Sequence, residues 1–182
     1  MRDEYYDDDQ CSQILGKVKE PFKSFVVFLM ETGCRPGEAR RLKPRHMRDR
    51  VCVLPPVESV KGDGTERTIY PSDKAWEILE AQLQGREPDD FLFLITKGRP
   101  WTKDSIKCAM HRIADEIGWT PIAYGLRHTW CTNALMQGMG LETVLQLMSH
   151  KDEKMVLRVY QKLKKNPEYL LEQANKFRSA AS

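Results

Sequence analysis

The sequence predicts an α+β domain that is mostly α-helical, with one small antiparallel sheet. Apolar residues recur at helical spacing through most of the chain, and two short β-type runs flank a Gly-Asp-Gly step. The βαβ alternation that a doubly wound fold needs is absent. At 182 residues and 41% hydrophobic content, the chain can bury one sizeable core, and a single domain is expected.

Residues 1–10 read as an acidic, flexible lead-in anchored only by Tyr5 and Tyr6, so the domain is expected over residues 11–182. From Pro21, the run Phe22, Phe25, Val26, Phe28 and Leu29 covers a broad helical face. Gly33 follows where a left-handed helix terminus favours glycine. Pro36 suits the first turn of a second helix, which puts Arg35 at a helix mouth.

Val51-Cys52-Val53-Leu54 and Arg67-Thr68-Ile69-Tyr70 read as strands, and Lys61-Gly62-Asp63-Gly64 between them reads as a hairpin turn with Lys61 near its tip. Pro71-Ser72-Asp73 offers an N-cap for a helix with Trp76, Leu79 and Leu83 on one face, ending near Gly85. Phe91 to Leu94 is a buried strand or extended segment. Thr102 caps a helix whose stripe Ile106, Met110, Ile113 and Ile117 is core, and Gly118 ends it. Further helices are expected from about Gly125 to Gln137, through Val144, Leu145 and Met148, and from Met155 to Leu163. Pro167 opens a last one with Leu170, Ala174 and Phe177 at helical spacing.

The formal charge is +3, but residues 1–10 hold five acids against Arg2, which leaves 28 basic and 21 acidic residues, +7, in residues 11–182. A basic body of that kind suits phosphate contacts. The five cysteines are odd in number, widely spaced and without a C-x-x-C pair, which argues against a disulfide framework. Cys108 and His111 alone do not make a metal site, and no metal is expected. The apolar run Phe25 to Met30 is too short to span a bilayer, and the acidic N-terminus lacks a signal peptide's basic start; a soluble cytoplasmic protein is expected.

The chemistry concentrates between Tyr124 and Tyr160. Holding and attacking a phosphodiester without a metal requires clamps for the non-bridging oxygens, a nucleophile and a proton donor for the leaving oxygen. Arginine suits the first task because its planar fork donates two parallel hydrogen bonds and stays charged. Tyr124 precedes Arg127 by three residues, so both can face one site.

Thr32-Gly33-Cys34-Arg35-Pro36-Gly37-Glu38 resembles the first arginine box of the tyrosine recombinase, or phage integrase, family. Gly125-Leu126-Arg127-His128-Thr129-Trp130-Cys131-Thr132 resembles its second box, and Leu147-Met148-Ser149-His150 followed by Tyr160 resembles its histidine and nucleophile elements. The resemblance covers about residues 11–165 and implies that family's catalytic-domain fold. It implies Tyr160 as the nucleophile that forms a 3′-phosphotyrosine, Arg35 and Arg127 as clamps, and His150 as an aid to the phosphate or the nucleophile. Lys61 would then protonate the leaving 5′-hydroxyl, Glu38 brace Arg35, and His128 support the site. Lys97 and Lys103 are fallback donors, and Tyr169 is the rival tyrosine, favoured for packing by Leu170 and Leu171.

Two departures accompany the resemblance. Tyr124 stands where the family usually has His or Lys, and the interval from His150 to Tyr160 is one residue longer than usual. The implied partners are double-stranded DNA and further copies of the chain, four protomers on two DNA sites, in a prokaryotic or phage setting at the nucleoid. Neither ATP nor a metal cofactor is implied, because the phosphotyrosyl bond conserves the energy of the broken diester. No segment matches the family's N-terminal DNA-clamping domain, so the chain is expected to be the catalytic part alone. Rival readings are a type IB topoisomerase, a telomere resolvase, or a DNA-binding module without activity.

Overall fold

The computed structural model describes residues 5–58, 65–149 and 153–179. Folding begins earlier than the lead-in expected over residues 1–10 would allow. Tyr6 is only 2% exposed, and Asp7 caps helix α1 (Asp8–Lys17) by accepting the Gln10 N–H at 2.8 Å. Asp8 and Asp9, expected in a flexible run, instead sit in the first turn of a helix, where the unsatisfied N–H groups favour negative charge.

Helix α2 (Phe22–Thr32) buries Phe25, Val26 and Phe28 completely, and Gly33 ends it at φ +59. Phe22, Phe25 and Phe28 pack on Phe93 and Trp101 with ring centroids 4.8 to 6.1 Å apart. Truncating a ring so enclosed costs about 3–5 kcal/mol. Pro36 opens the short helix α3 (Pro36–Ala39) as expected.

The sheet has three strands in the order β1 (Met47–Arg48), β2 (Val51–Leu54), β3 (Arg67–Ile69), all antiparallel. In the hairpin, Cys52 faces Ile69, Val53 faces Thr68 and Leu54 faces Arg67. The two-residue β1 is an addition that no alternation in Met47–Arg48 could announce. The expected hairpin tip with Lys61 lies outside the described residues.

Ser72 caps α4 (Asp73–Leu83) and Thr102 caps α5 (Lys103–Ile117), which Gly118 closes at φ +79. Leu92 and Phe93 are buried, but in a bend and not in the strand or extended segment expected; Leu94, next to them, makes an isolated bridge to Pro100. Helix α6 (Ala123–Met136) follows, then α7 (Leu141–Met148), α8 (Glu153–Leu163) and α9 (Pro167–Ser179).

The chain divides into two compact units, Met1–Thr129 and Trp130–Ser182. The first is built on the α2 aromatics together with Ile14, Leu42, Leu54, Leu79 and Met110. In the second, Cys131, Leu135, Val144, Met148, Val156 and Leu163 form a smaller core. Among the described residues no helix is long and apolar enough to cross a membrane.

Candidate active site

The first unit gathers charge where a sequence would ordinarily place core. Arg35, Glu38, Arg67 and Arg127 are all at most 6% exposed. Arg35 is the residue before α3, and Glu38 is the third residue of that helix. The Glu38 carboxylate reaches back, accepting the Arg35 backbone N–H at 2.9 Å and the Arg35 Nη1 at 2.5 Å. One carboxylate therefore fixes both the main chain and the side chain of the same arginine, the first by the reach-back bond of a capping box.

Arg127 arrives on α6 and donates from Nη1 to the carbonyl of Gly33, 94 positions away. Arg67, at the start of β3, turns its Nε to Glu38 at 3.5 Å and donates from Nη1 to the Thr68 carbonyl at 2.5 Å. Burial pushes the Glu38 carboxyl up, but Arg67, Arg127 and Arg35 outweigh it and hold the group below its ordinary value. Burial lowers the Arg67 guanidinium, and Glu38 opposes that shift. Cys34, the residue before Arg35, is pushed up to about 12, first by burial and then by Glu38.

Tyr124 and His128 stand one turn apart on α6 with their rings edge to face, centroids 5.4 Å apart, and His128 is buried. Tyr124 and Arg35 also line a groove of about 540 Å³. Its lining also takes in the polar Arg40, Lys103, Lys107, His111 and Thr120, and apolar residues that include Ile106, Met110 and Ile122. Lys103, Lys107 and His111 recur every four residues, so they form one exposed stripe along α5. Positive groups beside apolar ones can hold a polyanion by its charges while the apolar residues take its flat or aliphatic parts.

In the second unit, Tyr160 lies on α8, half-buried against that unit's core, with Lys164 Nζ 5.6 Å from its ring centroid. Tyr169 donates its hydroxyl to the Leu135 carbonyl at 3.4 Å, which ties it to packing. Ser149 ends α7 at φ +73, a conformation that costs a non-glycine residue about 1–3 kcal/mol, and His150 next to it lies outside the described residues. Among the described residues no group of three or more His, Cys, Asp or Glu could hold a metal ion.

Of the residues singled out from sequence, Arg35, Glu38, Arg127, Tyr124 and His128 fall in the first unit, and the first three share one charged cluster. The sequence marks Arg67 only as a strand residue. A signal for its role exists: Arg67 shares a strand face with Ile69, which is fully buried, so its charge has to point inward and find a partner.

The tyrosine recombinase XerA of Saccharolobus solfataricus is 25% identical over 149 residues, covering 81% of this chain and 48% of the relative. The tyrosine recombinase XerC of Staphylococcus saprophyticus is 30% identical over 129 residues, covering 67% and 43%. The chain thus spans about half the length of the curated relatives it matches.

Among solved structures, the XerA recombinase superposes with a TM-score of 0.71 at 19% identity, over 96% of this chain and 65% of that one. The Tn1549 transposon integrase in complex with circular intermediate DNA gives 0.70 at 20% identity, over 87% and 63%. These likenesses establish the fold. Residues 4–166 match the model of the phage integrase family, and the chain belongs to that family.

Proposed function

We propose that this chain cuts and rejoins DNA strands as the catalytic part of a site-specific tyrosine recombinase. The observation that carries the reading is the convergence of Arg35 and Arg127, 92 positions apart in sequence, around the buried Glu38 carboxylate. Two fixed guanidinium groups beside a basic groove suit a phosphodiester whose charge rises as it is attacked. Tyr160 attacks the phosphorus, the new phosphotyrosyl bond replaces the bond to the 5′ oxygen, and the phenolic proton passes to water. Lys61 gives a proton to the departing 5′ oxygen.

In this reading His150 helps to hold the phosphate or orient Tyr160, Tyr124 donates to a phosphate oxygen, and His128 supports it from the same helix. Double-stranded DNA is the substrate, and four copies act on two sites. The Tn1549 integrase in complex with DNA and a lambda integrase dimer bound to a core site lend support by fold alone.

Incubation with a pool of nicked duplexes of randomised sequence, followed by a denaturing gel, tests the proposal. A covalent protein–DNA band is expected from the natural chain and none from Tyr160→Phe. An adduct that survives in Tyr160→Phe rules out the nucleophile assigned here. Relaxation of supercoiled DNA without strand exchange points instead to topoisomerase chemistry.

A further inference from the structure

We infer that Arg67 is a positioning residue for the cleavage reaction, holding the Glu38 carboxylate from the sheet side so that Arg35 keeps a single orientation. This inference rests on the function proposed above. The Glu38 carboxylate is bonded to α3 through the Arg35 N–H and Nη1, and to β3 through Arg67 Nε at 3.5 Å. Arg67 is itself anchored by its bond to Thr68 and by the pairing of its residue with the fully buried Leu54. It therefore links the hairpin to the helix mouth through two charged groups, with 6% and 1% of their side chains exposed.

Glu38 meets Arg35 and Arg67 with the same carboxylate, so what Arg67 does to that carboxylate is passed on to the Arg35 guanidinium. Arg67 fits the positioning role since its planar Nε edge is committed to Glu38, whereas Arg35 also lines the groove.

Arg67→Met and Arg67→Lys test the inference. In single-turnover cleavage of a nicked duplex, Arg67→Met is expected to slow adduct formation about 10- to 100-fold, the range seen when an outer support of a site is removed. The dissociation constant for the duplex should change less than about threefold, the melting temperature should not fall, and Arg67→Lys should recover part of the rate. Cleavage by Arg67→Met at the natural rate overturns the inference. So does a parallel fall in melting temperature, DNA binding and rate, which marks a structural residue. Should the natural chain form no adduct with any duplex, the proposed function fails, and the Arg35 side-chain N–H signal in NMR then decides the positioning claim. Faster exchange of that signal in Arg67→Met supports it, and unchanged exchange overturns it.

Discussion

The Tyr6 hydroxyl grips Ile122 at both ends of the residue, accepting the Ile122 N–H at 2.8 Å and donating to the Ile122 carbonyl at 3.1 Å. The Tyr6 N–H donates to Thr129 Oγ1 at 2.8 Å, so one N-terminal residue is tied to both the approach and the second turn of α6. Tyr6→Phe is expected to cost about 1–3 kcal/mol, from two lost hydrogen bonds and the part-buried peptide groups left behind. Urea denaturation measures it.

Gly125 lies directly beneath that ring. A Cβ there would stand 2.4 Å from the Tyr6 hydroxyl and 2.5 Å from Cζ. Gly125→Ala should therefore destabilise by about 1–3 kcal/mol through overpacking. In the Tyr6→Ala background the same substitution should cost much less, so the double mutant falls short of the sum.

Glu38 makes a prediction about acid. Its folded-state carboxyl lies below its ordinary value of 4.5, so the stability it contributes is complete above that value and is lost as the pH falls towards the folded value. Glu38→Gln should lower stability at neutral pH by about 3–5 kcal/mol, because three buried arginines lose their shared counter-charge. It should also flatten the acid limb of the stability curve below pH 4.5. Denaturation midpoints across that range would show both effects.

The thiols should sort by burial. Cys34 and Cys52 are fully buried and pushed up to about 12, chiefly by burial, whereas Cys108 is exposed. Timed alkylation followed by mass spectrometry is expected to modify Cys108 first, and Cys34 and Cys52 only on unfolding.

If the groove receives DNA, the α5 stripe sets part of the salt dependence. Reversing Lys103 and Lys107 to Glu should weaken duplex binding. It should also lower the slope of log affinity against log salt by roughly 0.9 for each phosphate that is no longer neutralised. Fluorescence anisotropy at several salt concentrations measures this, and circular dichroism should show an unchanged fold because both lysines are exposed.

Much of the fold is readable in the chain because its signals are local. Gly33, Ser72, Thr102 and Gly118 mark helix ends by backbone or capping chemistry that a few residues decide, and each ends or caps a helix as expected. The resemblance names Arg35, Glu38 and Arg127, and the fold brings them into one cluster. What stays hidden depends on distant partners. Tyr6 reads as part of an acidic tail until Ile122 and Thr129 meet it, more than a hundred positions later. Arg67 reads as one more strand residue until Glu38 faces it.

Gly33 shows how closely ending a helix and aiming a charge are joined. Its positive φ stops α2, and its carbonyl receives Arg127. A substitution there that left every charged residue in place would still be strained, since side chains disfavour that conformation, and the strain would tilt the carbonyl that Arg127 sights on. The glycine thus behaves as a gunsight for a residue it neither neighbours nor resembles, and an inactive relative could owe its silence to this turn while keeping every arginine.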